Sequence, residues 1–258
     1  MAQILRLANE NEDWRDPKEW VETQTHSEIV SSLDKVRARD GFCATVIAGA
    51  PGIGKTLAVE GYCLDMGLNG YYHRAVKGEG TAWQLATALM KRFDSSPMGM
   101  SLGDARDRIA DWIGPKALLV FDEAQFFIQR NRKTGVKDEV FEWARGLAET
   151  AQCNLAFCGD LSIVRTVAEY PMLQSRVRYP VIVRSVPETD VRAVASGTGF
   201  DVPDCLRILL AVSTLPGGLR NVESVLHEAA AFAGSDQREA AHLRAAVHDL
   251  KLTLKGGF

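Results

Sequence analysis

The sequence predicts an α/β fold, in which a five-stranded parallel sheet is flanked by helices and is followed by a helical C-terminal region. Short apolar runs alternate with segments whose apolar residues recur at helical spacing, a pattern typical of parallel sheets that are covered on both faces. One of these runs leads directly into a glycine-rich loop. After Val186 the strand-like runs stop, and only helical patterns continue.

Composition and charge limit the possible classes of protein. The chain has 258 residues, 46% hydrophobic and 24% charged, so one large or two modest packed domains are expected. The formal net charge of -3 gives no global attraction to nucleic acid, and a DNA-binding site must therefore be a local patch. No apolar run approaches the roughly 20 residues of a membrane helix, and no secretion-signal pattern begins the chain. We therefore expect a cytoplasmic protein without a membrane partner.

The cysteines indicate a reducing compartment. Their number is odd, and their spacing fits neither a metal site nor a C-x-x-C motif. Most of them lie among apolar residues, which favours buried, reduced thiols. They are Cys43, Cys63, Cys153, Cys158 and Cys205.

Five apolar runs are predicted strands. The third follows Gly114 and Pro115, which prevent a helix from continuing into it. The runs are residues 44–48, 70–76, 117–121, 154–158 and 181–183.

Helices are predicted between and after these strands from the 3.6-residue spacing of apolar side chains. Thr81 and Gln84 form a capping-box pattern ahead of one of them. The first six segments are residues 27–36, 55–67, 81–93, 102–112, 140–147 and 163–167, and the last four are 188–195, 205–212, 219–232 and 240–252. We accordingly expect an N-terminal arm over 1–24, an α/β domain over 25–186 and a helical lid over 187–258.

The loop after the first strand matches the phosphate-binding motif G-x-x-x-x-G-K-[ST] in full. Its glycines allow backbone N–H groups to wrap a phosphate, and the following helix N-terminus adds positive potential. The lysine is expected to reach the β- and γ-phosphates, and the threonine hydroxyl to bind Mg²⁺. The motif consists of Gly49, Ala50, Pro51, Gly52, Ile53, Gly54, Lys55 and Thr56.

Two carboxylates end the third predicted strand. Asp122 and Glu123 follow the apolar run 117–121, at the strand end where α/β sheets bind ligands. Asp122 is the expected Mg²⁺ partner, and Glu123 is placed to orient and deprotonate a water aimed at the γ-phosphate. ATP and Mg²⁺ are therefore the predicted cofactors.

The loop, the carboxylate pair and the helical C-terminus together resemble the AAA+ ATPases over about residues 25–235. Residues 172–178 resemble the segment that carries the arginine finger of that superfamily. The resemblance implies that Arg176 or Arg178 of one subunit reaches the γ-phosphate of its neighbour, a contribution of about 10³–10⁵ in rate in related systems. A solvated basic surface is the alternative for these arginines.

Two further segments resemble the nucleotide sensors of the superfamily. Residues 216–221 resemble the lid motif whose arginine senses the nucleotide, which implies that role for Arg220; a simple helix cap or ion pair is the alternative. Residues 157–160 resemble the other sensor position. There Asp160 is the polar candidate, although it departs from the Asn or Thr common at this position.

Among AAA+ groups the chain most resembles the transposition ATPases, the MuB family above all, with Tn7-type ATPases and the secretion ATPase ExeA nearby. The resemblance implies a phage- or transposon-encoded protein that binds double-stranded DNA without sequence preference. It also implies an ATP-dependent homo-oligomer, a helical filament or a ring, that delivers target DNA to a transposase. The N-terminal helix-turn-helix domain of the phage Mu protein has no counterpart in the two dozen residues before the core.

Three groups of basic residues are candidates for DNA phosphate contacts. The loop after the second strand faces the channel in AAA+ assemblies, which favours Lys77. Lys91 and Arg92 follow on the next helix, and ordinary solvated loops are the alternative. A second basic cluster comprises Arg130, Arg132, Lys133 and Lys137.

Three other functions stay open at this point. A helicase loader or an insertion-sequence helper ATPase would share the loop and the carboxylates. A secretion or signalling ATPase that works as an interaction switch is a second possibility, and the secretion role would predict a membrane or cell-wall-binding segment, which the sequence does not show. A small-molecule kinase is least favoured, because Glu123 beside Asp122 suits attack by water better than transfer to an alcohol.

Overall fold

The computed structural model describes residues 21–128, 140–234 and 237–254. A strand lies at each of the five predicted runs, and the second ends at Arg74, two residues earlier than predicted. The strands are β1 (Ala44–Gly49), β2 (Gly70–Arg74), β3 (Leu118–Asp122), β4 (Asn154–Gly159) and β5 (Val181–Val183).

Every predicted helix is also present. The capping box is confirmed, since the Thr81 hydroxyl accepts from the backbone N–H of Gln84 at 3.1 Å and the Gln84 side chain accepts from the backbone N–H of Thr81 at 3.1 Å. No helix in the described part of the chain is long and apolar enough to cross a membrane. The helices are α1 (Gln24–Arg37), α2 (Lys55–Asp65), α3 (Ala82–Lys91), α4 (Leu102–Ile113), α5 (Val140–Ala151), α6 (Ser162–Ala168), α7 (Pro171–Gln174), α8 (Glu188–Ala195), α9 (Pro203–Ser213), α10 (Leu219–Ala233) and α11 (Ala240–Asp249).

The five strands form one parallel sheet in the order β2–β3–β4–β1–β5. Ala44 of β1 is paired with Leu155 of β4, and Phe121 of β3 is paired with Phe157 of β4. Because the strands are parallel, the carboxyl ends of β1 to β4 lie at one edge of the sheet, where α/β proteins bind ligands. The opposite edge holds the first residues of each strand.

A cluster of phenylalanines packs beneath the carboxyl end of β3. Phe121 stacks on Phe157 with ring centroids 5.7 Å apart, and Phe127 meets Phe121 edge-on at 5.4 Å. Phe141 contacts Phe157 at 5.1 Å. All four are fully buried, and each such pair stabilises the fold by about 0.5–1.5 kcal/mol beyond its burial. This packing fixes the position of the end of β3, and therefore that of Asp122.

The chain divides into two compact units. One comprises residues 29–48 and the described part of 56–182, and the other comprises 21–28, 49–55 and the described part of 183–254. The first is built on the sheet and its helices, and the second has its own apolar core from α8 to α11. The predicted domain boundaries, 1–24, 25–186 and 187–258, stay predictions.

All five cysteines are buried and none forms a disulfide. Burial raises the pKa of the Cys63 thiol to about 12, with a smaller contribution from the Glu60 carboxylate. Burial also raises the pKa of Cys153 to about 12. Thiols with such pKa values are unreactive at neutral pH, because the thiolate is the nucleophile.

Candidate functional site

The glycine-rich motif forms the turn between β1 and α2. Gly52 and Gly54 have φ values of 77° and 87°, a left-handed conformation that glycine adopts without a steric penalty. The N–H of Ala50 donates to the carbonyl of Val183 at 3.1 Å, which fixes the start of the turn. The motif thus lies in the strand–turn–helix setting that phosphate binding requires.

The ammonium group of Lys55 lies against its own loop. Its Nζ donates to the carbonyls of Gly49 at 3.0 Å and Ala50 at 2.9 Å. These are neutral acceptors, so a phosphate oxygen would form a stronger, charge-assisted bond with the same donor. Lys55 is therefore already held at the loop in which a phosphate would bind.

The loop packs against the start of α10. The carbonyl of Gly52 accepts from the N–H of Leu219 at 2.9 Å, which satisfies one of the unpaired donors at the helix N-terminus. The two backbones are so close that a Cβ on Gly52 would lie 1.8 Å from the carbonyl oxygen of Gly217. Arg220, the predicted sensor, follows in the first turn of α10, and its side chain is exposed.

Asp122 is the most constrained carboxylate of the site. It is the last residue of β3 and is 1% exposed. Its Oδ2 accepts from the Thr56 hydroxyl at 2.8 Å and from the Tyr72 hydroxyl at 3.0 Å, and its Oδ1 accepts from the N–H of Glu123 at 2.9 Å. Burial, followed by the nearby Asp122 carboxylate, raises the pKa of Tyr72 far above its usual value. Tyr72 is therefore a neutral hydrogen-bond donor.

The pairing of Thr56 with Asp122 fits a magnesium ion. Mg²⁺ takes oxygen ligands, and nucleotide sites commonly bind it through one or two carboxylates together with phosphates. A hydroxyl and a carboxylate at hydrogen-bond distance offer such a donor set. In the described residues no group of three or more histidine, cysteine, aspartate or glutamate side chains could hold a metal ion by itself.

Glu123 has an unusual backbone conformation. Its φ and ψ are 53° and 33°, in the left-handed region that costs an L-residue about 1–2 kcal/mol. Such residues cluster at functional sites, where the surrounding structure holds them. The side chain is half-buried and accepts a hydrogen bond from the amide nitrogen of Gln125.

Asp160 lies where predicted, in the turn after β4, but its carboxylate is engaged elsewhere. Its Oδ1 accepts from the backbone N–H of Ser162, the first residue of α6, at 2.8 Å and from the Ser162 hydroxyl. Its backbone N–H donates to Oε1 of Gln125 at 3.1 Å. Asp160 is therefore connected to the Glu123 side chain through its backbone N–H and the amide of Gln125, and not through its carboxylate.

Arg176 and Arg178 lie at the opposite edge of the sheet from Asp122. The carbonyl of Arg176 accepts from the N–H of Ala44 at 3.1 Å, and the N–H of Arg178 donates to the carbonyl of Ala44 at 2.8 Å. Ala44 begins β1, whereas Asp122 ends β3, and strands of five to six residues separate the two edges by about 15 Å. The structure therefore does not bring these exposed arginines to the carboxylates of their own chain.

The candidate DNA contacts have different surroundings. Lys77 is exposed in the segment after β2, and Lys91 is exposed at the end of α3. Arg92 is half-buried and donates to the carbonyl of Tyr72, and burial lowers its pKa. Arg130, Arg132, Lys133 and Lys137 lie outside the described residues.

Two residues of the site were not anticipated from the sequence. Gln125 belongs to the Asp-Glu-Ala-Gln sequence after the third strand, but nothing in the pattern assigns its side chain a partner. Tyr72 is an aromatic residue on a strand, for which core packing is the ordinary role. Only the register of β2 on β3, which pairs Tyr72 with Val120, places its hydroxyl near Asp122.

Comparison with known proteins shows similarity to phage transposition proteins. Residues 175–250 match the family model of the Mu B transposition protein, C terminal. The ATP-dependent target DNA activator B of Escherichia phage D108 is 25% identical over 259 residues, covering 92% of this chain and 75% of the relative. The protein of the same name from Escherichia phage Mu matches with the same identity and coverage.

Solved structures support the fold assignment. Cdc6p from Pyrobaculum aerophilum superposes with a TM-score of 0.64 at 13% identity, covering 94% of this chain and 71% of the other. The Aeropyrum pernix ORC1 protein, solved in complex with DNA, gives a TM-score of 0.59 at 15% identity, covering 96% and 69%. The chain therefore has the P-loop AAA+ fold, and its sequence is similar to the Mu B transposition proteins.

Proposed function

We propose that the protein is an ATP-dependent, DNA-binding AAA+ ATPase of transposition. It assembles on double-stranded DNA without sequence preference, as a helical filament, and presents that DNA to a transposase. The name shared by the two phage relatives, ATP-dependent target DNA activator B, supports this role. The observation that carries the ATPase part is the hydrogen bond of 2.8 Å between Thr56 and Asp122.

The residues of the phosphate motif and β3 have separate tasks in the proposed reaction. Backbone N–H groups of 49–56 bind the phosphates, and Lys55 exchanges its loop carbonyls for phosphate oxygens. Thr56 and Asp122 would hold Mg²⁺, which would neutralise charge on the bound phosphates. Glu123 orients a water and accepts its proton as the water attacks the γ-phosphate, a contribution of about 10²–10⁴ in rate.

The position of Arg176 and Arg178 supports a site that is completed by a second subunit. Both are exposed at the edge of the sheet remote from Asp122, so they are available to a neighbouring copy. Arg178 donates to the carbonyl of Val177 at 2.8 Å, and we therefore assign the finger to Arg176. Arg220 senses the nucleotide from the first turn of α10.

DNA binding would come from many weak phosphate contacts. Lys77 and Lys91 are exposed and each offers one positive charge per subunit. A few contacts in each subunit give low affinity, and assembly of many subunits on one duplex supplies the avidity. The logarithm of affinity is expected to fall against the logarithm of salt concentration with a slope near −0.9 per neutralised phosphate.

Nucleotide binding is tested with Lys55→Ala, with Lys35→Ala, an exposed lysine on α1, as the control. We expect the Lys55 variant to lose ATP affinity and nucleotide-dependent assembly, and the control to keep both. Unchanged ATP affinity in Lys55→Ala would remove the phosphate-loop assignment.

Assembly on DNA is tested by electron microscopy with double-stranded DNA and a non-hydrolysable ATP analogue. A decorated helix is the expected result. A closed ring would favour the alternative function of a helicase loader or insertion-sequence helper ATPase. Absence of any assembly would contradict both functions.

A further inference from the structure

The side chain of Gln125 connects two segments of the site. It lies in the short 3₁₀ turn after β3 (Ala124–Phe127) and is half-buried. Its amide nitrogen donates to Oε2 of Glu123, and its Oε1 accepts from the backbone N–H of Asp160 at 3.1 Å. The amide nitrogen and the amide oxygen of Gln125 therefore bond to two different segments of the chain.

The residue before Asp160 leaves room for this amide. A Cβ on Gly159 would lie 2.3 Å from Oε1 of Gln125 and 3.3 Å from the backbone nitrogen of Ala124. Contacts under 3 Å are not tolerated by a packed side chain, so any residue larger than glycine would displace Gln125. The turn after β4 is thus in direct contact with the Gln125 side chain, and the lack of a side chain at Gly159 makes this contact possible.

Gln125 completes the restraints on Glu123. The N–H of Glu123 donates to Asp122 at 2.9 Å, and its carbonyl accepts from the N–H of Phe126 at 2.9 Å. These bonds hold the backbone in its left-handed conformation and set the direction of Cβ. They leave the carboxylate end of the side chain free to rotate, and the bond from Gln125 restrains that end.

We propose that Gln125 is a positioning residue for ATP hydrolysis: it fixes the Glu123 carboxylate in its working orientation and couples that orientation to the Gly159–Asp160 turn. The inference rests on the proposed function, in which Glu123 is the base. Misplacing a reacting group by about 1 Å costs about 10²-fold in rate. Loss of the bond is therefore expected to lower kcat by about 10- to 100-fold.

Two variants separate the two halves of the amide. Gln125→Ala removes both bonds, whereas Gln125→Glu keeps an acceptor for Asp160 and loses the donor to Glu123. We expect both variants to lose about 10- to 100-fold in kcat while KM for ATP and the dissociation constant of a fluorescent ATP analogue change by less than about threefold. Wild-type or higher kcat in either variant would overturn the proposal.

A double-mutant cycle shows whether Gln125 acts through Glu123. In the Glu123→Gln background, where the base is gone, Gln125→Ala should cause no further loss in single-turnover hydrolysis of radiolabelled ATP. A further loss as large as in the wild-type background would mean that Gln125 acts by another route, and the proposal would be wrong.

The hydrogen bonds can also be followed without nucleotide. Amide exchange of Asp160, measured by NMR on the nucleotide-free protein, should be faster in Gln125→Ala than in the wild type and should stay slow in Gln125→Glu. Equal exchange rates in all three proteins would show that the bond between Gln125 and Asp160 is not formed in solution.

Gly159→Ala provides a second, independent test. The added methyl group should displace Gln125 and lower kcat to the level of Gln125→Ala, and combining the two substitutions should cause no additional loss. Gly103→Ala, at an exposed helix position where the nearest atom would be 3.6 Å away, is the control. Full kcat in Gly159→Ala would contradict the coupling.

Failure of this inference can be told apart from failure of the proposed function. If Glu123→Gln hydrolyses ATP as fast as the wild type, the base assignment in the proposed function is wrong. If Glu123→Gln is inactive and Gln125→Ala has normal kcat, the proposed function stands and only the positioning role is lost.

Discussion

The hydroxyl of Tyr72 donates to the same carboxylate oxygen of Asp122 that accepts from the hydroxyl of Thr56. One buried oxygen therefore has two donors, from β2 on one side and from α2 on the other. Groups that hydrogen-bond a metal-ligating carboxylate orient it and tune its affinity for the metal. Tyr72 is accordingly expected to influence magnesium binding without contacting the ion.

Tyr72→Phe should weaken magnesium binding while keeping the aromatic packing. We expect the Mg²⁺ concentration for half-maximal ATP hydrolysis to rise about 10-fold or more and the free energy of unfolding to fall by about 1 kcal/mol. Tyr71→Phe is the matched control, because its hydroxyl donates to the carbonyl of Trp112 at 3.0 Å and has no part in the site. Equal magnesium dependence in the two variants would contradict the role given to Tyr72.

Gly52→Ala should lower the free energy of unfolding by more than the cost of placing an alanine in the left-handed conformation. An alanine at φ 77° costs about 1–2 kcal/mol, and its Cβ would also lie 1.8 Å from the Gly217 carbonyl. Gly41→Ala has the same backbone cost at φ 78°, with no atom within 4 Å of the added Cβ. Urea unfolding should therefore show a larger loss for Gly52→Ala, by at least about 1 kcal/mol. Equal losses would mean that the loop and the start of α10 are not in contact in solution.

Arg176→Ala should impair hydrolysis in the assembled state only. The loss should approach the 10³-fold or more that an arginine finger contributes, because in the proposed function the arginine acts on the nucleotide of a neighbouring subunit. Steady-state turnover is measured above and below the concentration at which the protein assembles, with Arg165→Ala, an exposed arginine on α6, as the control. The same loss in dilute monomer would rule out a role in the neighbour.

Mixed assemblies give a direct check of that role. Glu123→Gln subunits are expected to bind ATP and assemble without hydrolysing it, and they carry an intact Arg176, whereas Arg176→Ala subunits carry an intact Glu123. Mixing the two inactive variants should restore part of the activity, since some interfaces then pair an intact Glu123 with an intact arginine of the neighbour. No recovery at any ratio would count against an interface of this kind.

His73 should make the stability depend on pH below neutrality. It lies at the end of β2, 4% exposed, and its Nε2 is 2.8 Å from Glu79. Burial lowers its pKa below the ordinary 6.5, an effect that the bond to Glu79 opposes and the charge of Arg92 reinforces. As pH falls below about 6.5, the unfolded chain therefore takes up the proton first, and the folded state loses stability by at most about 1.4 kcal/mol per pH unit.

His73→Gln should reduce that acid sensitivity, because the glutamine amide can donate to Glu79 but does not titrate. The free energy of unfolding, measured in urea at pH 7.5 and at pH 5.5, should fall less in this variant than in the wild type. His227→Gln, at an exposed position on α10, should behave as the wild type. An unchanged pH dependence in His73→Gln would show that the ring titrates normally in the folded state.

The sheet could be predicted from the sequence because buried parallel strands are continuous apolar runs bounded by turn residues. The helices were equally visible from their apolar spacing, with one exception. Helix α7 (Pro171–Gln174) has only four residues, which is less than the two turns over which helical spacing can be recognised. Residues 172–178 could therefore be matched to the arginine-finger segment, but the short helix that overlaps them could not be predicted.

The site was predictable only where a motif fixes the residue type. The positions of Thr56 and Asp122 follow from their motifs, and the structure places the two in contact. Gln125 and Tyr72 could not be predicted, because their roles depend on the strand register and on the path of the turn after β4. The sensor role suggested for Asp160 stays a prediction, and the sequence pattern did not reveal that its carboxylate accepts from the backbone N–H of Ser162.

The absence of any accessible thiol makes this chain suited to fluorescence work. All five native cysteines are buried and should resist maleimide dyes under native conditions. A single cysteine introduced at an exposed position outside the proposed DNA contacts, such as Lys35 on α1, would then be the sole labelled site without removal of the native ones. Energy transfer between donor- and acceptor-labelled subunits could thereby report the growth and dissociation of assemblies in real time.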